Sequence, residues 1–127
     1  MTQEDKALLI KDLCARLPYG VVIQEKCIEN DKTFLPYPGD NKLVNIDVHE
    51  DLVITNSGSR YYIEELKPYL FPLSSMTPEQ RTSYNFLSNS GHRSFTGLID
   101  FFNKNHFDYR GLIPKGLAID CTNLNIY

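Results

Sequence analysis

The stretch VNIDVHEDLVITNSGSRYYI, residues 44–63, decides the class of fold. Its first part alternates apolar Val44, Ile46 and Val48 with polar Asn45, Asp47 and His49, the period of two that sends successive side chains to opposite faces of a strand. After Glu50-Asp51, Leu52-Val53-Ile54-Thr55 reads as another strand, and Asn56-Ser57-Gly58-Ser59 as the turn into Arg60-Tyr61-Tyr62-Ile63. Upstream, Val21-Val22-Ile23 leads to Cys27-Ile28 in the same texture, so three to five short strands are expected across a β region at residues 20–64. Within it, Pro36-Tyr37-Pro38-Gly39-Asp40-Asn41 is expected to be a loop, because two prolines and a glycine oppose a regular ladder. Strands this short, with turns this tight, suit a small curved antiparallel sheet, with an SH3-like barrel as its closed form.

Working outward from the strands, the period changes to that of helices. Thr2 and Asp5 form a capping arrangement, and Leu9, Ile10, Leu13, Cys14 and Leu17 recur at three- and four-residue spacings until Pro18, which predicts a helix over residues 2–17. Its polar residues Lys6, Lys11, Asp12 and Arg16 read as a solvated face, and Cys14 reads as buried. Downstream, the prolines in Ile63-Glu64-Glu65-Leu66-Lys67-Pro68-Tyr69-Leu70-Phe71-Pro72-Leu73 limit it to one helical turn followed by extended chain, a strap between sheet and helices. Thr77-Pro78-Glu79-Gln80 combines an N-cap, a first-turn proline and a capping-box glutamine, so a helix starts there, with Tyr84, Phe86 and Leu87 as its apolar residues. Asn89-Ser90-Gly91 closes it, and Ser94 opens another in which Phe95, Leu98, Ile99 and Phe102 form one stripe. The helical region thus covers residues 77–106. Gly111, Pro114 and Gly116 confine residues 107–127 to a turn and a tail, where Leu117-Ala118-Ile119 is suited to dock as a strand. With no repeat or long linker, residues 1–127 are expected to be one α+β domain: a small curved antiparallel sheet packed with three main helices.

Bulk composition narrows the function classes. A chain of 127 residues, 42% hydrophobic and 23% charged, has the make-up of a single globular domain. Thirteen basic residues against sixteen acidic ones leave a charge of -3, which supplies no general attraction to a polyanion. Arg93, Lys104, Arg110 and Lys115 are interleaved with Asp100, Asp108 and Asp120, so nucleic acid is a possible partner but not the favoured one. Cys14, Cys27 and Cys121 are odd in number and lack a CxxC pair, which disfavours a disulfide scaffold or a structural zinc. The acidic start Thr2-Gln3-Glu4-Asp5 is unlike a signal peptide, and no apolar run approaches the ~18 residues of a membrane span. A cytoplasmic location and no membrane partner are expected.

Two short stretches hold the candidate chemistry. In His106-Phe107-Asp108 an imidazole beside a carboxylate, with Asp100 upstream, has the groups of a general base or a metal ligand pair. The alternative is that His106 lies near a helix C-terminus and Asp108 caps the next turn. In Tyr109-Arg110-Gly111 the guanidinium is suited to clamp a carboxylate or phosphate, or to pair internally with an acid such as Asp100. Ser57-Gly58-Ser59 and Ser90-Gly91-His92 lack the context of a phosphate loop or nucleophile elbow and read as turns. Asp47, His49, Glu50 and Asp51 lack calcium-loop spacing. Tyr61, Tyr62, Tyr69 and Phe71 make either a seal over the core or a binding platform. No catalytic, cofactor-binding or metal-ligating residue is expected from these patterns, and no cofactor.

Three stretches then stand out together: LLIKDLCARLPYGV at residues 8–21, LKPYLFPLSSMT at 66–77 and HFDYRGLIPKGLA at 106–118. With them the chain resembles a family of short proteins, uncharacterised in activity, encoded by gut-bacterial genomes, prophages and phages. The resemblance implies a phage or mobile-element context and a cytoplasmic life, and carries no catalytic residue or cofactor. The expectation leans away from an enzyme, towards a small protein-interaction module that presents His106, Asp108, Tyr109 and Arg110 to a protein partner. The alternatives are a nucleic-acid-associated accessory protein and a metal-dependent or hydrolytic enzyme using His106 and Asp108.

Overall fold

The structure is a computed structural model that describes residues 1–25, 41–89 and 94–127. The expected Cys27-Ile28 strand, most of the Pro36 loop, Ser90-Gly91-His92 and Arg93 lie outside these residues. The fold is α+β, with three α-helices and two small sheets among the described residues: α1 (Gln3–Arg16), β1 (Ile23–Glu25), β2 (Leu43–Asp47), β3 (Leu52–Thr55), β4 (Arg60–Tyr62), β5 (Leu66–Pro72), α2 (Pro78–Asn89), α3 (Ser94–Lys104), β6 (Phe107–Asp108) and β7 (Ile119–Asp120).

The alternating stretch forms a three-stranded antiparallel meander, β2-β3-β4, with Ile46 opposite Val53 and Val53 opposite Tyr61. The other sheet is built around β5, which the sequence had suggested only as an extended strap. It pairs antiparallel with β1 and in parallel with both β6 and β7. Two prolines sit in this central strand because of where their missing N–H groups would point. Tyr69 and Phe71 direct their N–H groups to the carbonyls of Val22 and His106. Residues 68 and 72 face the opposite edge, where β7 pairs only with Tyr69 and Leu70, so neither proline removes a bond from the β1 or β6 ladder.

A bridge between Val22 and Lys42 joins the sheets, with Ile23 N–H donating to Asn41 and Leu43 N–H to Val21. They do not close into a barrel, which corrects the SH3-like expectation: β5 recruits two parallel partners from the C-terminal segment instead of continuing the meander. For the same reason the sheet system is mixed, not wholly antiparallel.

The main core joins Leu9 and Leu13 of α1 to Ile23, Leu43, Val53, Leu66 and Leu70 of the sheets, to Val21 and Ile63 in the segments beside them, and to Leu112, Leu117 and Ala118 after β6. Each fully buried aliphatic side chain contributes roughly 1.5–3 kcal/mol relative to exposure. Both helix starts follow their sequence signals. Thr2 Oγ1 accepts from Asp5 N–H, while Thr77 and Gln80 form a reciprocal capping box. The buried stripe of α1 differs from the expected one: it runs Leu9, Asp12, Leu13, Arg16, and Cys14 is exposed. Cys14 lies about 100° around the helix from Leu13, away from the core, and Asp12 and Arg16 are inside, not on a solvated face.

The helices α2 and α3 form a hairpin. Leu87 of α2 lies against Gly97 of α3, where an added Cβ would stand 3.4 Å from the leucine side chain, an ordinary contact distance. Although α2 carries Tyr84, Phe86 and Leu87, none of its residues is fully buried.

Candidate functional site

The HFDYRG stretch, where sequence chemistry is densest, folds over the end of α1. Asp12 and Arg16 are one helical turn apart, which places both on the stripe that packs inward. Arg16 is fully buried and donates from Nε to Asp12 Oδ2 at 2.7 Å and from Nη2 to Oδ1 at 3.2 Å. Its Nη2 also donates to the Phe107 carbonyl at 2.6 Å, tying α1 to β6. Arg110 adds a second guanidinium to the same carboxylate: Nε lies 3.2 Å from Asp12 Oδ1, an ion-pair distance without hydrogen-bond alignment.

Tyr109 fills the space between these charges. Its ring stacks on Phe102 at 5.3 Å, and the guanidinium carbons of Arg16 and Arg110 lie 5.2 and 4.9 Å from its centroid. Such cation–aromatic contacts strengthen when water is excluded. Arg16 Nη1 has no hydrogen-bond partner, so the ring face compensates part of its desolvation.

Asp108 is 7% exposed and its two oxygens accept from the N–H groups of Leu112 and Ile113 at 2.8 and 2.9 Å. It closes the turn that begins at Gly111, where φ is +75°, a value that glycine adopts without strain. Its carboxylate is therefore engaged with backbone, not with His106.

His106 follows α3 in a left-handed conformation, φ +61°, and its N–H donates to Asn103. Its ring stacks on Tyr127 with centroids 3.6 Å apart and planes inclined by 10°. Burial first, then the charges of Arg16 and Lys42, lower its pKa to about 4. The imidazole is thus neutral near pH 7, and it does not complement the α3 dipole as a cation.

The remaining candidates are dispersed. Asp100 accepts a long 3.5 Å bond from the Tyr19 hydroxyl, and Lys104 and Lys115 are exposed. Among the described residues, no three His, Cys, Asp or Glu side chains converge in the manner of metal ligands. Asp47 Oδ1 accepts from the N–H groups of His49 and Glu50, a local turn, and Ser57 shares hydroxyl hydrogen bonds with Thr55 and Ser59. The aromatic cluster divides: Tyr69 is buried and donates to Gln24, whereas Tyr62 is 53% exposed. Cys121 is buried, and desolvation, then Asp120, raises its thiol pKa to about 12, the opposite of activation.

Among the described residues, two concave regions lie beside the helical hairpin. One, about 260 Å³, lies among Phe71, Ser75, Thr77, Gln80, Phe107 and Thr122. Ser75 and Thr77 there already bond to the Pro72 carbonyl and the Gln80 N–H. The other, a shallow and mainly apolar depression of about 500 Å³, is lined by Thr82, Ser83, Phe86, Leu87 and Phe101, with Phe86 73% exposed.

Asp12 and Arg16 are the central residues that the sequence reading assigned to solvent. An oppositely charged i,i+4 pair that shares its stripe with Leu9 and Leu13 was the available signal. No family model, curated protein or solved structure matches the chain.

Proposed function

We propose that this protein is a small non-catalytic interaction module whose contact surface is the α2–α3 hairpin. The observation that carries this reading is Phe86, 73% exposed on a helix without one fully buried residue. Exposed aromatics set in shallow apolar depressions are common anchors of protein contacts. The rim supplied by Thr82 and Ser83 is hydroxylated and uncharged. The partner that fits is accordingly a protein segment offering an apolar side chain flanked by neutral polar groups, since a charge placed there would lose solvation without gaining a counter-charge.

This reading moves the contact away from His106, Asp108, Tyr109 and Arg110, whose side chains are engaged in packing and internal pairing. A cytoplasmic setting in a phage or mobile element, as the resemblance implies, belongs to the same proposal.

The test is crosslinking in the native host with wild type, Phe86→Ser and Tyr62→Ser, followed by titration of the purified captured protein against all three. The expected result is direct binding lost at least tenfold in Phe86→Ser and retained in Tyr62→Ser, with unchanged melting temperatures. Equal binding by all three, or self-association as the sole Phe86-dependent event, overturns the proposal.

A further inference from the structure

We propose that the cleft occupied by Tyr127 is a binding site for a phenol, filled in cis by the chain's own tyrosine. The inference goes beyond the hairpin reading and stands independently of it. It rests on a break in the ladder between β1 and β5. In a hydrogen-bonded antiparallel pair the two residues exchange both N–H to carbonyl bonds. Tyr69 N–H donates directly to the Val22 carbonyl at 2.9 Å, but the reciprocal bond is replaced. Val22 N–H donates instead to the Tyr127 hydroxyl at 2.9 Å, and that hydroxyl donates to the Tyr69 carbonyl at 2.8 Å.

A backbone donor and a backbone acceptor are thus held apart by one hydroxyl group, and a phenol supplies the complementary acceptor and donor in a single atom. The ring positions are equally defined. His106 stacks on one face at 3.6 Å, and Phe71 approaches at 5.9 Å with an inclination of 48°. A neutral imidazole on the ring face adds no charge, so the cleft selects a flat uncharged aromatic with a hydroxyl at its inner end.

The tether between the sheet and this tyrosine is lightly held. Before Tyr127 itself, the last backbone bond to β5 comes from Cys121 N–H to the Leu70 carbonyl. Residues 122–125 are exposed, and Ile126 packs partly against Val22, Tyr69 and Cys121. Tyr127 itself is 44% exposed although its hydroxyl lies inside. A phenol in solution therefore competes with a tethered copy of itself, whose effective concentration is on the order of millimolar.

The experiment uses p-cresol, N-acetyl-tyrosinamide and toluene with wild type and Tyr127→Ala, following the Val22 amide and the His106 ring by NMR. In Tyr127→Ala, p-cresol is expected to shift both signals saturably, with toluene at least about tenfold weaker for want of the two hydroxyl bonds. In wild type the same signals shift at higher p-cresol concentration. Tighter binding of N-acetyl-tyrosinamide than of p-cresol points to a peptide tyrosine as the source, and the reverse order to a small phenol. Closure of the ladder in Tyr127→Ala, with no saturable shift, overturns the proposal. So does binding to the variant with none to wild type at ten times that concentration, which makes Tyr127 a fixed packing element. If Tyr127→Ala is unfolded, restoration of its native circular dichroism by p-cresol supports the site, and failure to restore it overturns it.

Discussion

At the residue scale, the Asp12 carboxylate is the point on which the C-terminal segment is latched, and its two guanidinium partners are not equivalent. Arg16 is wholly buried, whereas the Arg110 side chain is 21% exposed. Removing one member of a buried ion pair leaves a desolvated charge and costs about 3–5 kcal/mol. Arg16→Ala should therefore lose about 3 kcal/mol or more of unfolding free energy in urea, and Arg110→Ala distinctly less; equal losses would show that burial does not set the ranking.

His106 gives this scale a pH dependence. Its folded pKa, about 4, lies below the ordinary 6.5, so the folded state binds its proton less readily than the unfolded state. The stability it contributes is present above pH 6.5 and is lost as pH falls through about 4. A His106→Phe variant should lose less stability than wild type across this window, measured by urea unfolding at each pH. Cys14 and Cys121 offer a parallel contrast, since one is exposed and the other buried with a raised thiol pKa. At pH 8 a thiol reagent should label Cys14 before Cys121, as read by peptide mass mapping, with Cys121 reacting at the rate of opening.

At the scale of elements, β5 and α2 are opposites. β5 is paired along its length and carries Leu66, Tyr69 and Leu70 inside, while α2 packs mainly on α3. Native-state hydrogen exchange should accordingly release α2 amides at a lower free energy than those of Tyr69 and Leu70. Leu70→Ala should cost about 2–5 kcal/mol of global stability. Thr77→Ala, which removes a cap worth about 1 kcal/mol, should weaken protection in α2 while leaving the global transition almost unmoved. A shared drop in both would mean that the hairpin and the sheet open as one unit.

On the scale of the whole molecule, the C-terminal segment works as a clasp. It adds β6 and β7 to β5, places Leu112, Leu117 and Ala118 in the main core, and joins α1 through Arg16 and Asp12. Its attachment thus combines strand pairing and the Asp12–Arg16 bonds with burial of its own apolar side chains. No helix among the described residues is long and apolar enough to cross a membrane.

The elements written in short-range chemistry were legible before any coordinates. Thr2 and Thr77 announce their helices because a cap involves residues three apart, and the strand-forming runs with turn residues between them over 44–63 report the meander. The alternation over 44–49 did not fix its faces: a register shift between Leu43 and Asn45 interrupts β2, and Val44 and Val48 are exposed. The direction of β6 and β7, the use of β5 as the hub and the burial of Asp12 and Arg16 were not legible. Parallel pairing joins residues tens of positions apart, and whether a charged helix residue meets water or a partner depends on what folds over it. The same limit governs the candidate sites. Sequence placed imidazole, carboxylate, phenol and guanidinium close together in the chain, but tertiary packing turned Asp108 towards the backbone N–H groups that satisfy its buried carboxylate and stacked His106 on Tyr127, because contacts between distant residues outweigh local adjacency.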